Sequence, residues 1–129
     1  MRILLDTHTF LWFIGGDSRL HQEARRRIED LENERLLSIA SLWEIAIKVS
    51  LGKLRVGMSI TELVLNQVEG NAIDVFGIAP AHLDSLARLP FHHRDPFDRL
   101  IIAQSLVEGI PVLGRDATFD LYPIQRLWS

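Results

Sequence analysis

The sequence predicts a three-layer α/β domain in which helices cover both faces of a mostly parallel central sheet. Short apolar runs alternate along the chain with segments of helical periodicity, which is the pattern of βαβ units. The runs lack regular polar alternation, as is typical of strands buried on both faces. The chain has 129 residues, about the length of one domain, and it contains neither an internal repeat nor a linker-like stretch. We therefore expect residues 1–129 to form a single domain.

Five short runs rich in Ile, Leu or Val are the predicted strands. They are residues 3–5, 36–40, 73–76, 111–113 and 124–127. Each is too brief for a helix, and the first two stop at a polar residue, Asp6 and Ser41. Their brevity and β-branched or aliphatic composition favour strands over helical segments.

Five stretches between these strands carry helix start and stop signals. They are residues 18–31, 41–52, 59–70, 80–89 and 96–109. Ser18 can cap the first helix. Ser41 and Ser59 each precede a glutamate by three positions, the spacing of a capping box, and the two segments end at glycine. Asp95-Pro96 places proline at the favoured first position of the last helix.

The composition excludes several classes of protein. Without cysteine the chain has neither a disulfide framework nor a thiolate metal site, which fits a reducing, cytoplasmic compartment. The longest strictly apolar run, residues 10–14, is far short of the roughly 20 residues of a membrane span, so we expect no membrane association. Asp6 interrupts the N-terminal stretch that could pass for a signal peptide. A net charge of −3 argues against non-specific coating of nucleic acid but permits an enzyme with a basic rim around an acidic centre.

Four acidic residues are predicted to meet at one edge of the sheet. Asp6 ends the first strand, and Asp116 closely follows the strand at 111–113. Glu44 and Asp98 lie in the first turns of the helices at 41–52 and 96–109. Strand ends and the helix starts that follow them share one edge of a parallel sheet, and that edge carries the ligand site. We therefore expect the four carboxylates to lie close together as a catalytic set.

A divalent cation is the natural partner of these carboxylates, because convergent negative charges repel one another unless a positive charge lies among them. Oxygen ligands suit Mg²⁺, with Mn²⁺ as a plausible substitute. Such a site can activate water and stabilise phosphoryl charge during phosphodiester hydrolysis. We expect Asp6 and Asp98 to be the direct metal ligands, with Glu44 and Asp116 completing the cage or orienting water. The number of ions, one or two, stays open.

Structural roles for the same acids stay open at this point. Glu44 and Asp98 stand three residues after Ser41 and Asp95, so each could complete a capping box. Asp116 could be an ordinary turn former. We interpret Asp95 as a helix N-cap. The joint placement of four acids at matching positions favours the site.

Arginines, histidines and tryptophans supply the other candidates. Three arginines flank the acids in sequence and are candidate phosphate contacts: Arg94, Arg99 and Arg115. Arg99 lies inside a helix and could equally point elsewhere. His8 has no second histidine nearby to complete a metal site, and His92 and His93 are interpreted as solvated loop residues rather than phosphate contacts. The tryptophans are interpreted as core or interface anchors rather than base-stacking platforms: Trp12, Trp43 and Trp128.

Three segments match a known pattern, namely Leu4–His8, Ser41–Ile45 and His93–Gln104. They resemble a PIN domain, and more closely a VapC-type ribonuclease toxin of bacterial toxin–antitoxin modules, over essentially the whole chain. The resemblance implies a PIN-like α/β fold, Mg²⁺-dependent cleavage of RNA, a homodimer and inhibition by a small antitoxin encoded alongside. It places the acidic set of the family on these residues: Asp6, Glu44, Asp98 and Asp116.

The chain departs from the family pattern near the expected site. The family commonly has Thr or Ser two residues before its last acid, where this chain has Gly114, so one hydroxyl near the metal is missing. Asp95 and Asp120 are additional acids, and the role of Asp120 stays open.

The sequence thus predicts a Mg²⁺-dependent endoribonuclease that acts as a toxin. Two alternatives belong to other classes: a metal-dependent nuclease acting on DNA, and a catalytically inactive PIN-fold interaction module. The intact acid set argues against the second, because a binding module has no reason to retain mutually repelling carboxylates. The sequence identifies neither the RNA target nor the antitoxin.

Overall fold

A five-stranded, all-parallel sheet forms the centre of the computed structural model, which describes residues 1–128. The strands are β1 (Arg2–Leu5), β2 (Glu34–Ser38), β3 (Asp74–Phe76), β4 (Val112–Leu113) and β5 (Arg126–Leu127). They pair in the order β3-β2-β1-β4-β5. The predicted α/β class with a parallel sheet is confirmed. The last residue of the predicted domain, Ser129, lies outside the described residues.

Within residues 1–128, six α-helices connect and cover the strands. They are α1 (Thr7–Gly15), α2 (Gln22–Glu29), α3 (Ile39–Ser50), α4 (Ile60–Leu63), α5 (Pro80–Arg88) and α6 (Pro96–Glu108). After α4 the chain continues through a π-helical stretch at Val64–Val68 and a 3₁₀ turn at Glu69–Asn71, and a second 3₁₀ turn spans Ala117–Leu121. None of the helices within residues 1–128 is both long and apolar enough to cross a membrane.

Side chains alternate along the strands between two hydrophobic cores. Ile3 and Leu5 of β1 belong to the core formed with α1 to α4, which includes Phe10. Leu4 belongs to the opposite core, where Ile101 of α6 and Phe119 are fully or almost fully buried. Because both faces of the sheet are covered, the strands read in the sequence as unbroken apolar runs.

The strand order reverses at β1, which lies between β2 and β4. The chain first adds β2 and β3 on one side of β1 and then returns to add β4 on the other. Open parallel sheets bind ligands at such a topological switch point, outside the carboxyl ends of the strands. Asp6 immediately follows β1, and the segment 114–116 follows β4, so both flank this crevice.

Helix boundaries agree with the sequence where a local cap defines them. Ser59 and Glu62 form the predicted capping box. Asp95 caps the start of α6, and Gly109 follows its last residue in a left-handed conformation (φ 66°). The predicted cap Ser18 is wrong, because His21 Nδ1 accepts the N–H of Glu23 at 3.4 Å and α2 starts at Gln22.

Two further differences lie next to the switch point. The sequence does not predict helix α1, since the five consecutive apolar residues at 10–14 show no helical period. Helix α3 begins at Ile39, because the Ser38 hydroxyl accepts the N–H of Ala40 at 3.0 Å. The predicted strand 36–40 therefore runs two residues too far, and the predicted cap Ser41 lies inside the helix.

Candidate metal centre

Asp6 lies where β1 ends and α1 begins. It occupies the N-cap position of α1, yet its carboxylate makes no capping hydrogen bond within residues 1–128. The residue is 5% exposed. Burial is the main cause that raises the pKa of Asp6 to about 6, and the charge of Glu44 raises it further. His8, whose Nδ1 lies 3.9 Å from Asp6 Oδ2, and the neighbouring backbone N–H groups of Thr7 and His8 lower this pKa. Among residues 1–128, the buried carboxylate faces no opposing charge that would exclude a cation.

Glu44 lies in the second turn of α3, close enough to Asp6 for their charges to interact. The capping-box interpretation with Ser41 is wrong, since the helix begins at Ile39. Ser41 instead accepts a hydrogen bond from the buried Thr7 hydroxyl at 2.8 Å, which joins α1 to α3. This contact sets the two helices so that both carboxylates are at the same edge.

The two oxygens of the Glu44 carboxylate have different surroundings. Oε2 accepts a hydrogen bond from Lys48 Nζ at 2.6 Å. Oε1 is buried and has no hydrogen-bond partner within residues 1–128. The hydrogen bond to Glu44 is the main cause that raises the pKa of Lys48, and the charges of Asp95 and Asp98 contribute. The spacing of four residues between Glu44 and Lys48 is the sequence signal that could have found this lysine.

Asp98 lies in the first turn of α6, as predicted, and its charge interacts with all the other acids of the site. The carboxylate of Asp95, not of Asp98, caps the helix, accepting the N–H groups of Phe97 at 2.8 Å and of Asp98 at 3.1 Å. Burial is the largest cause that raises the pKa of Asp98 to about 8. Further increases come from four negative charges: Asp6, Asp95, Glu44 and Asp116.

Asp116 lies at the exposed rim, directly after β4. Its Oδ1 accepts both the N–H and the hydroxyl of Thr118, at 2.9 and 2.6 Å. Burial alone would raise the pKa of Asp116, but the hydrogen bonds from Thr118 and His93 outweigh it and hold the pKa below its ordinary value. Asp116 therefore caps the 117–121 turn and faces Asp98 at the same time. Below, the acidic cluster means these four residues: Asp6, Glu44, Asp98 and Asp116.

His93 joins this group, contrary to its interpretation as a solvated loop residue. Its side chain is 8% exposed, and its ring stacks on Phe119 and Tyr122 with centroids 5.3 and 5.5 Å apart. One ligand atom each of His93, Asp98 and Asp116 lies within 4.8 Å of the others. The aromatic partners that bury His93 follow it by more than 25 residues, so no local pattern indicates them.

Gly114 allows β1 and the segment after β4 to approach closely. A Cβ atom at this position would lie 3.2 Å from Asp6 Cβ and 3.3 Å from the Phe119 ring. The hydroxyl that the sequence lacks at this position is present two residues beyond the last acid instead, on Thr118.

Arg99 does not reach the acidic cluster. Its guanidinium donates to the carbonyls of Pro90 and Leu89 at 2.9 and 3.3 Å and covers the Phe91 ring at 4.0 Å. Only 6% of the residue is exposed. The expected phosphate contact is therefore replaced by a structural role, because the carbonyls at the end of α5 occupy its donors.

Arg115 lines a cavity of about 530 Å³ beside the acidic cluster, whereas Arg94 is exposed in the loop before α6. Asp6 and Asp116 bound one side of this cavity, and Arg19 also lines it. Both Arg19 and Arg115 lie near the half-buried Trp12 ring, at 5.1 and 5.8 Å from its centroid. The cavity thus combines basic and aromatic side chains with carboxylates.

The acidic cluster has the properties of a divalent-cation site. Burial, together with repulsion between carboxylates, raises the pKa values of Asp6 and Asp98, and a buried Glu44 oxygen lacks a hydrogen-bond partner among residues 1–128. Oxygen donors with one neighbouring imidazole suit Mg²⁺ or Mn²⁺. A cation among these groups would offset the repulsion, so the residues present fit the ion.

The family comparison is consistent with this arrangement. The PIN domain profile matches residues 3–124. The fold is similar to the crystal structure of VapBC2 from Rickettsia felis bound to a DNA fragment from their promoter (TM-score 0.72, 14% identity, 100% of both chains). It is also similar to FitAcB from Neisseria gonorrhoeae (TM-score 0.64, 17% identity, 97% of this chain and 96% of that chain) and to FitAB bound to an IR36 DNA fragment (0.65, 17%, 97% and 93%). No curated protein matches this sequence. Because the family match spans nearly the whole chain, the protein belongs to the PIN domain family.

Proposed function

We propose that this protein is a Mg²⁺-dependent endoribonuclease and the toxin of a toxin–antitoxin module. The observation that carries the proposal is the acidic cluster at the switch point, where burial and repulsion raise the pKa values of Asp6 and Asp98. PIN domain membership and the resemblance to VapC-type toxins support nuclease chemistry on RNA. We also propose that residues 1–129 form one domain acting in the cytoplasm.

Asp6 and Asp98 are the residues that would hold the ion, with Glu44 and Asp116 completing the shell or orienting water. When bound, Mg²⁺ or Mn²⁺ supplies an activated water and stabilises charge on the phosphate oxygens. Two features of the chain hold the carboxylates in place before an ion binds. Lys48 fixes the Glu44 carboxylate through its 2.6 Å hydrogen bond. The N-terminus of α6 favours a negative charge on Asp98 by about 0.3–1 kcal/mol.

The test of this function is cleavage of structured RNA by the purified protein. We expect cleavage with Mg²⁺ or Mn²⁺ and none in excess EDTA, because the site offers mainly oxygen ligands to a hard cation. The Asp98→Asn variant, purified identically, controls for contaminating nucleases. Undiminished cleavage in EDTA would contradict the proposal. The same assay on DNA separates an RNase from a DNA nuclease.

Arg115 and Arg94 are the proposed phosphate contacts. Arg115 and Arg19 both line the cavity beside the acidic cluster, where a phosphate neighbouring the reacting one can lie. The guanidinium groups of Arg19 and Arg115 both lie over the Trp12 ring, and this cation–π contact favours positions beside the cavity.

Arg115→Ala is expected to weaken RNA binding without changing stability. Loss of one phosphate contact lowers the slope of log K against log salt concentration by about 0.7 for single-stranded RNA. Fluorescence anisotropy in EDTA, where the RNA stays intact, measures this slope. Arg88→Ala, at an exposed position on α5, is the matched control. An unchanged slope in Arg115→Ala would remove Arg115 from the proposed substrate site.

A small antitoxin is the proposed partner. A cavity of about 420 Å³ lies along α1 and the segment 54–58 and is lined largely by apolar side chains. It shares His8, Trp12 and Arg19 with the cavity that Asp6 lines. We expect the C-terminal segment of the antitoxin to dock there and to insert an arginine or lysine among the carboxylates, where a bidentate arginine pairs well. A purified complex should then bind neither Mn²⁺ nor RNA. A complex that binds both as the free protein does would argue against this docking.

A homodimer is the proposed assembly. Ile39 and Trp43 lie one turn apart on α3 and are 39% and 55% exposed, which gives this helix an apolar surface available to a second copy. Light scattering of the purified protein tests the mass.

A further inference from the structure

We propose that His93 and Thr118 are positioning residues that fix the orientation of the Asp116 carboxylate through a continuous hydrogen-bond relay. The inference rests on the proposed metal-dependent function, because Asp116 matters only as part of the acidic cluster. It gives a role to His93 and Thr118, which the metal-dependent function alone does not explain.

The relay has short and directional contacts. His93 Nε2 lies 2.7 Å from Thr118 Oγ1, and Thr118 Oγ1 lies 2.6 Å from Asp116 Oδ1. His93 Nε2 also lies 3.5 Å from Asp116 Oδ2, so the ring faces the same carboxylate directly. The ionised carboxylate can only accept, so the single hydroxyl proton of Thr118 points to Asp116. The hydroxyl oxygen must then accept from His93, which in the neutral ring requires the tautomer with hydrogen on Nε2.

The other ring nitrogen agrees with this tautomer. His93 Nδ1 is buried and has no hydrogen-bond partner within residues 1–128. A bare nitrogen there leaves an acceptor unpaired, whereas a hydrogen there would leave a buried donor unpaired and would also remove the donor that Thr118 needs. The contact with Thr118 therefore selects the form with hydrogen on Nε2, and the unpaired Nδ1 is compatible with it.

The His93 ring is held by a rigid aromatic support. The Tyr122 hydroxyl accepts the N–H groups of His92 and His93 at 3.2 and 3.0 Å and donates to the Pro90 carbonyl at 3.2 Å. The ring also stacks on Phe119, whose exposed fraction is 1%. The relay thus begins in the core and ends at the rim of the site.

Asp116 is the member of the acidic cluster that needs such a support. Its side chain is 49% exposed, whereas the side chains of Asp6 and Glu44 are 7% and 3% exposed. Gly114 offers no side chain to hold it from the other direction. Without Thr118 and His93, the Asp116 carboxylate would be free to rotate into solvent.

Titration of Mn²⁺ into the metal-free protein by calorimetry tests the relay. We expect Thr118→Val and His93→Ala each to weaken Mn²⁺ binding about 10-fold, the lower end of losses seen for outer partners of metal ligands. The losses in the double variant should be less than additive, since both residues hold the same Asp116 carboxylate and contact each other. Thr118→Ser keeps the hydroxyl, and His93→Gln keeps an N–H donor, so both should retain most of the affinity.

Other outcomes overturn the proposal. Loss of affinity in both His93 variants with wild-type affinity in Thr118→Val would make His93 itself a ligand. Wild-type affinity in every variant, with only lower melting temperatures, would make the contacts structural. Thr61→Val, at an exposed position on α4, is the matched control.

A second measurement keeps the relay testable apart from the proposed function. Imidazole ¹⁵N spectra of the metal-free protein at pH 8 should show His93 with hydrogen on Nε2, and Thr118→Val should shift that nitrogen. The opposite tautomer would refute the relay. Absence of Mn²⁺ binding in the wild type, together with the expected tautomer, would instead refute the metal-dependent function and leave the relay as a fact of the fold.

Discussion

Asp98→Asn is expected to stabilise the metal-free protein at neutral pH while removing its response to Mg²⁺. The folded-state pKa of Asp98, about 8, lies above its ordinary value of 3.8, so the folded protein holds this proton more tightly than the unfolded chain. Asp98 therefore lowers the stability of the metal-free protein progressively as the pH rises from about 4 to about 8. Asparagine cannot titrate, so the stability of the variant should depend less on pH in this range.

The same substitution removes a proposed metal ligand. Metal at 100 times its dissociation constant stabilises a protein by about 2.7 kcal/mol, and the variant should lose most of that gain. RNA cleavage should fall about 100-fold or more, as when a main electrostatic contact to the transition state is removed. A residue acting only through the helix dipole would show the opposite pattern, a stability loss of about 0.3–1 kcal/mol with activity retained.

Thermal melts with and without Mg²⁺, across pH 5 to 8, measure both effects of Asp98→Asn. Asp84→Asn, at an exposed position in α5, is the matched control and should leave the melts unchanged. A destabilised Asp98→Asn protein that keeps its Mg²⁺ shift and its activity per folded molecule would assign Asp98 to the helix end rather than to the site.

Arg99→Met is expected to lower the free energy of unfolding by about 3 kcal/mol. The guanidinium is buried, and its donors satisfy the carbonyls of Pro90, Leu89 and Leu86. Methionine fills similar space but leaves these acceptors unpaired, which costs about 1–3 kcal/mol for each group that water cannot reach. Arg99→Lys should recover little of the lost stability, since a single ammonium group cannot replace the planar set of guanidinium donors.

Urea denaturation measures the loss in Arg99→Met, and RNA binding per folded molecule should stay at the wild-type value. Arg88→Ala, exposed on the preceding helix, controls for the loss of a surface arginine. Weaker RNA binding with unchanged stability would instead restore the phosphate contact that the sequence suggested.

Local signals predicted those parts of the fold that depend on adjacent residues. Asp95-Pro96 and Ser59 with Glu62 define helix starts by their own hydrogen bonds, and the structure keeps both. Ser41 has the capping-box spacing to Glu44 in the sequence, yet Ser38 caps α3 and Ser41 lies inside the helix. Both hydroxyls also take part in contacts between distant segments, Ser38 with Gln104 and Ser41 with Thr7. Local spacing alone therefore does not define the start of α3.

The candidate site likewise has parts that the sequence predicts and parts that depend on contacts between distant segments. The placement of acids after strands and at helix starts follows from topology, which the period of the apolar runs indicates. The burial of His93 depends on Phe119 and Tyr122, and the direction of Arg99 depends on carbonyls at the end of α5. Those contacts depend on the path of the loop before α6, and no spacing of residues in the sequence predicts that path.

A crystal soaked in Mn²⁺ tests the central claim most directly. The anomalous signal locates manganese without reference to activity, RNA or a partner. We predict a peak within coordination distance, about 2.0–2.3 Å, of carboxylate oxygens of both Asp6 and Asp98. The acidic cluster would then be a metal site. A fully soaked crystal with no peak among these carboxylates, or with its peak elsewhere on the surface, would contradict the account.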